Sequence, residues 1–127
     1  MIFDLIKKIT SQGKTIIMKG TILDAREMMY LKDLVKIFLL IIRSKIKTGI
    51  YNIGTNKQIK ILDVINYLNK KEKKRKKVIF TNEFNFPNFA KLNVVKINKA
   101  LKIKIKFDFF KDLNKTIKYW KNKRLHN

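Results

Sequence analysis

The sequence predicts a small mixed fold, α/β or α+β, with about five helices and a few short strands. Apolar residues recur at helical spacing in several stretches, short β-branched runs bounded by glycine lie between them, and no segment repeats. The length of 127 residues and the 46% hydrophobic content suit one domain, residues 1–127, with a modest core.

Taken in order, Ile2, Leu5, Ile6 and Ile9 share one face of a short helix that Gly13 stops. Thr15 to Met18 reads as a strand followed by a turn at Gly20. Glu27 to Leu31 is a second short strand candidate. Asp33 opens a helix to about Ser44, its carboxylate suited to the N–H groups and positive dipole end of a first turn. Residues 37–42 are apolar all round, which predicts a deeply buried helix.

Gly49 to Gly54 shows no alternation and reads as a strand covered on both faces, with Gly54 free to take a left-handed turn. Gln58 to Lys60 is extended and leads into a helix whose apolar face is Ile61, Val64, Ile65 and Leu68. The run KKEKKRKK, Lys70 to Lys77, reads as a solvated helix end and loop. Val78 to Thr81 is a brief strand, and residues 82–89, NEFNFPNF, form an irregular aromatic loop. Val95 to Leu101 is a short helix. Asp108 caps the last helix, along which Phe110, Leu113, Ile117 and Trp120 make one stripe. Several helices carry more apolar surface than so small a body can bury, which points to a partner surface.

Composition excludes several chemistries. There is no cysteine, so disulfides and thiolate metal sites are out and a reducing cytoplasm is the expected setting. The one histidine, His126, leaves no His-based metal site and no Ser/His/Asp triad. No signal peptide is visible. The longest apolar stretch, Ile37 to Ile42, falls far short of the roughly 20 residues of a membrane span.

The net charge of +22 would draw the chain to polyanions at low salt. Its composition argues against a selected nucleic-acid surface. Lysine outnumbers arginine 27 to 4, and lysine, isoleucine and asparagine make up 59 of the 127 residues. These residues have A- and T-rich codons, and a base- or phosphate-reading surface favours arginine for its bidentate fork. Nucleic-acid contact is therefore expected to be non-specific.

Several stretches, read in order, carry a resemblance: IIMKG, then Arg26, then YLKDLVKIFLLI, then GIYNIGTNKQIKILDVINYL, then LNVVKINKALKIKIKF, then DLNKTIKYW. In that order and spacing the chain resembles the C-terminal part of the NAD-dependent epimerase/dehydratase family, the extended short-chain dehydrogenases that modify sugar nucleotides. The family pattern is a strand ending in glycine, an arginine, then an aromatic, a hydrophobic and an aspartate opening a helix. A "YNIG(T/S)G" turn, an "SI-E-L" helix, a "D-SKA---LGW-P" element and a "GL--TI-W" helix follow. Here these are Gly20, Arg26, Tyr30 to Asp33, Tyr51 to Thr55, Ile59 to Leu62, Asn93 to Leu101 and Leu113 to Trp120.

The resemblance implies an α/β fold equivalent to the C-terminal, substrate-binding half of such an enzyme, without a complete Rossmann domain. It implies NAD for the complete enzyme, bound at a Gly-rich turn, and a Tyr-x-x-x-Lys pair that serves as general base. The four glycines here, 13, 20, 49 and 54, never have the GxGxxG or GxxGxxG spacing, so no cofactor binding is expected of this chain alone. Tyr-x-x-x-Lys occurs at Tyr67/Lys71 and Tyr119/Lys123. Lysine is so common here that both are read as coincidences, and no catalytic residue is assigned.

By the same resemblance, Arg26 matches the arginine that contacts the nucleotide diphosphate, where a guanidinium pairs bidentately with phosphate oxygens. A surface ion pair with Glu27 or Asp24 is its structural alternative. Ile17 and Lys19 match strand positions that line the base pocket, largely through backbone, with plain strand packing as the favoured alternative. Tyr30 lines the pocket or, equally, is a core or rim tyrosine. The chain departs from the family where residues 82–89 stand in place of an "RPGD" loop, and where Lys102-Ile103 replaces the Gly-Trp of "LGW". A second phosphate anchor is thereby lost, so a sugar nucleotide is expected to bind weakly. Met1 falls where family members are mid-chain.

The expected function is thus the substrate-binding portion of a sugar-nucleotide epimerase or dehydratase, inactive alone. Its partner would be a separate Rossmann-domain polypeptide or a second copy of itself. The rivals are a small basic RNA- or DNA-binding protein, stacking bases on Phe84, Phe86 and Phe89 beside KKEKKRKK, and a noncatalytic remnant docked on a Rossmann subunit.

Overall fold

The computed structural model describes residues 1–83, 91–103 and 107–124. Among them the fold is mixed α/β, with five helices and four short strands. Their order is α1 (Ile2–Thr10), β1 (Thr15–Met18), β2 (Ala25–Glu27), α2 (Leu31–Arg43), β3 (Gln58–Lys60), α3 (Ile61–Lys71), β4 (Lys77–Phe80), α4 (Val95–Leu101) and α5 (Phe109–Arg124). Two compact units form, Met1–Arg26 with Gln58–Ala90, and Glu27–Lys57 with Lys91–Asn127. The expected loop over 82–89, with Phe84, Phe86 and Phe89, lies almost wholly outside the described residues, as does His126.

The first unit is built on α1 and α3. Leu5, Ile6 and Ile9 are buried, as are Ile61, Val64, Ile65 and Leu68 of α3, against which α1 packs. Both stripes follow helical spacing, and burying such side chains contributes about 1.5–3 kcal/mol each. β1 pairs in parallel with β4, Thr15 opposite Lys77 and Ile17 opposite Ile79. β2 pairs with β3 in a second two-stranded sheet. The Ile61 amide donates to the Asp24 carbonyl at 2.9 Å, which ties the start of α3 to the segment entering β2.

Three expectations need correction here. The second strand is Ala25–Glu27, not Glu27 to Leu31, because its partner β3 is only three residues long and Leu31 already opens a helix. The fourth strand is Lys77–Phe80, starting one residue earlier than the apolar run. The basic run is not wholly solvated. Lys76 is only 7% exposed, and its ammonium donates to the carbonyls of Lys8 (2.6 Å) and Ser11 (2.8 Å) and to Ser11 Oγ (3.0 Å). The C-terminal end of α1 offers carbonyls without helical partners, and this cation satisfies them.

In the second unit, Ile37, Val94, Ile97 and Leu101 form a core, with Met29, Ile41, Ile46, Tyr51 and Ile53 packed around it. α5 adds buried Leu113, Ile117 and Trp120. Its cap is the expected one, since the Lys111 amide donates to Asp108 Oδ1 at 3.1 Å. α2 begins at Leu31, two residues before Asp33, which sits in its first turn and pairs with Lys36 at 2.9 Å.

α2 is not deeply buried. Ile37 alone is fully covered, while Leu31, Val35, Phe38 and Leu39 are exposed and Ile42 is 79% exposed. An apolar sequence predicts the wish for cover, not the presence of a neighbour. Gly49 to Gly54 is likewise not a strand, and Ile50 is 88% exposed. A strand needs a ladder, and this segment finds side chains instead. Lys96 Nζ donates to the Ile50 carbonyl at 2.8 Å, the Tyr51 hydroxyl donates to the Lys47 carbonyl at 2.7 Å, and Asn52 Nδ2 donates to the Asn93 carbonyl at 3.3 Å. The left-handed residue of this turn is Asn56, not Gly54.

α4 ends as a Schellman motif. The Ile103 amide donates to the Asn98 carbonyl and the Lys102 amide to that of Lys99, both at 3.2 Å, and Lys102 has φ 51°. A lysine occupies the left-handed position that glycine fills without strain. Lys102→Gly is therefore expected to stabilise the protein by about 1 kcal/mol in urea unfolding. A loss of stability would contradict the strain.

Candidate functional site

Four residues were singled out by resemblance, and the structure distributes them. Ile17, Lys19 and Arg26 lie in the first unit and Tyr30 in the second. β1 turns Ile16 inward and Ile17 outward, so Ile17 is 60% exposed. Its carbonyl already accepts from Lys8 Nζ at 2.9 Å. Lys19 follows β1, and its ammonium lies 3.5 Å from Glu83. Both partners are well exposed, and such pairs contribute little. The turn beyond it is tight. Gly20 has φ 102°, and a Cβ there would collide with the Asp24 carboxylate, which also accepts from Thr21 Oγ1 at 3.0 Å.

Arg26 stands half-buried on β2, with Nη1 donating to the Ala25 carbonyl at 3.2 Å. Half-burial limits a guanidinium's freedom, which suits recognition of phosphate oxygens. Tyr30 precedes α2, and its carbonyl accepts from the Asp33 and Leu34 amides at 2.9 and 3.2 Å. Its ring lies 5.2 Å from Lys115 Nζ. The hydrogen bond to Asp112 holds that ammonium above the ordinary lysine value, and Tyr30 and Asp33 act in the same direction.

Sequence reasoning missed a polar cluster around Glu27. Glu27 Oε1 accepts from the Thr55 amide and, at 2.8 Å, from the Asn56 amide, and Oε2 accepts from the Leu92 amide at 2.8 Å. Gly54 is required by close approach, since a Cβ there would meet the Glu27 carboxylate and, at 3.2 Å, Leu92 Cδ1. The signal available beforehand was the glycine itself, without its partner. Of the Tyr-x-x-x-Lys pairs, Tyr67 and Lys71 lie on the last turns of α3. Tyr119 is exposed on α5, and the side chain of Lys123 is outside the described residues.

Among the described residues no three His, Cys, Asp or Glu side chains form a metal-ligand group, and no helix is long and apolar enough to cross a membrane. The two glycine cradles that a Cβ would fill, at Gly20 and Gly54, each hold an internal carboxylate, Asp24 and Glu27. A dinucleotide pyrophosphate needs such a turn open and opening a helix. These cradles do not fit NAD.

This α/β architecture is similar in fold to part of several larger solved enzymes. It superimposes on UDP-N-acetylglucosamine 4-epimerase from Methanobrevibacter ruminantium M1, solved with UDP-N-acetylmuramic acid. The TM-score is 0.81 at 18% identity, covering 97% of this chain and 39% of that one. UDP-glucuronic acid 4-epimerase from Bacillus cereus, solved with NAD, gives a TM-score of 0.78 at 22% identity, covering 95% of this chain and 38% of that one. RMD from Pseudomonas aeruginosa, complexed with NADPH, gives 0.81 at 14% identity, covering 97% and 42%. The chain thus spans about two fifths of the length of these structures. No curated protein sequence matches it. Residues 1–54 match the family described as the NAD dependent epimerase/dehydratase family. The family expected from motif order is the one whose model matches these residues.

Proposed function

We propose that this chain is the sugar-nucleotide-binding, C-terminal portion of an NAD-dependent epimerase or dehydratase, and that it turns over nothing by itself. The observation that carries the reading is Arg26. It is half-buried on β2, six residues beyond the Gly20 turn, on a fold that matches epimerases over nearly its whole length. A guanidinium so placed can take two diphosphate oxygens at once. Calorimetric titration with UDP-N-acetylglucosamine and with UDP tests it. Weak binding is expected, with Arg26→Ala weakening it about tenfold or more, as loss of a charged hydrogen bond would. An NAD-dependent epimerase rate from the purified chain would overturn the inactive half of the proposal. Equal binding by wild type and Arg26→Ala would overturn the assigned residue.

The exposed apolar face of α2 supports the accompanying reading, that this portion works against the part of the fold its relatives carry and these residues do not. Exposed patches of this kind mark interaction surfaces. Ile42→Lys should leave the second unit folded and abolish association with a polypeptide carrying the NAD-binding part.

A further inference from the structure

We infer that Glu27 is a positioning residue: its carboxylate, seated against the backbone amides of Thr55, Asn56 and Leu92, fixes the end of β2 and so the direction in which Arg26 presents its guanidinium. The inference rests on the reading of Arg26 as a diphosphate ligand for its purpose, but not for its geometry.

An ionised carboxylate only accepts, and its two oxygens have room for about four donors. Here Oε1 takes the Thr55 and Asn56 amides and Oε2 takes that of Leu92. The Thr55 hydroxyl stands 3.4 Å from Oε1, accepts from the Lys57 amide at 3.3 Å and donates to the Lys57 carbonyl at 3.2 Å, which stiffens the turn. Amides held by backbone cannot follow a wandering side chain, so the carboxylate is held instead. Charge assistance makes each such bond stronger than a neutral one. The absence of a Cβ at Gly54 is what lets the carboxylate in.

Arg26 and Glu27 are consecutive on β2, and consecutive strand side chains leave opposite faces. With Glu27 pinned toward residues 54–56, the backbone at Arg26 cannot rotate its side chain to the other face. An arginine on an untethered three-residue strand would have several turns of freedom to lose on binding a diphosphate. This one has lost part of that freedom beforehand.

The test is relaxation and exchange of the Arg26 side-chain Nε–H by NMR in the full chain, wild type against Glu27→Gln, alongside UDP titration of wild type, Glu27→Gln, Arg26→Ala and the double variant. Gln is nearly isosteric but offers an NH₂ where the amides need an acceptor. Expected are an ordered Arg26 Nε–H in wild type, its loss of order in Glu27→Gln, and UDP binding weakened about tenfold. In the Arg26→Ala background Glu27→Gln should weaken UDP binding no further, which a merely structural role would not produce.

An unchanged Arg26 signal in Glu27→Gln would overturn the inference, whether or not UDP binds. Independent weakening in the double variant would overturn it too. If Arg26 loses order while wild type binds no UDP, the positioning stands and the nucleotide reading fails. Should Glu27→Gln not fold, Gly54→Ala provides the second arm, since its Cβ displaces the same carboxylate with Glu27 intact. Wild type itself provides the third: fast amide exchange at Thr55, Asn56 and Leu92 would remove the anchor and the inference with it.

Discussion

Gly20→Ala is expected to lower stability by about 2–4 kcal/mol. Two costs add. At φ 102° an L side chain is strained by about 1–2 kcal/mol. The new methyl also lands on the Asp24 carboxylate, whose Cγ would be 3.2 Å away. Asp24 cannot step aside cheaply. It is buried, its side chain accepts from Thr21, and its carbonyl holds the first amide of α3. Gly13→Ala is the control, with φ 100° and nothing within 4 Å of a Cβ. It should show the strain without the collision. Urea unfolding of both variants separates the two costs, and equal losses would refute the collision. The turn matters for the proposed site because it follows Ile17 and Lys19 directly, and because the Asn82 amide bonds the Gly20 carbonyl at 3.0 Å just beyond β4.

Trp120→Ala should cost about 3–5 kcal/mol, the largest effect expected of any single truncation in the second unit. Trp120 is buried on the same face of α5 as Leu113 and Ile117, two turns and one turn earlier. Losing the indole leaves a cavity that a helix side cannot collapse to fill. Tyr119→Ala, one residue away on the exposed face, should change stability by no more than about 0.5 kcal/mol. Far-ultraviolet circular dichroism through a urea titration reads both. A Trp120→Ala loss as small as that of Tyr119→Ala would mean that α5 does not depend on this face.

Much of the architecture was legible residue by residue. The stripe Ile61, Val64, Ile65, Leu68 became the buried face of α3, Val95–Leu101 became α4 to the residue, and Asp108 capped α5. These are local matters, decided within one or two turns by periodicity and by side chain–backbone bonds. The larger errors concern neighbours. Residues 49–54 had the composition of a covered strand but met no ladder, and α2 had a buried helix's composition but little cover. Lys76 belonged to a run that looked uniformly solvated, until folding brought the end of α1 over it, 65 and 68 residues away in sequence.

The candidate site divides along the same line. Motif order alone pointed to the family and to Arg26, because a strand, a glycine turn and an arginine are adjacent in sequence. The reason for the GIYNIGT turn could not be read that way. Its glycine accommodates a carboxylate, and its amides receive one, from a residue 28 positions earlier that also binds an amide 65 positions later. The sequence by itself determined the periodic elements, their caps and the family pattern, since each depends on residues a few positions apart. Tertiary structure decided which carboxylate fills which turn and which apolar faces stay open, since those depend on where distant parts of the chain come to rest.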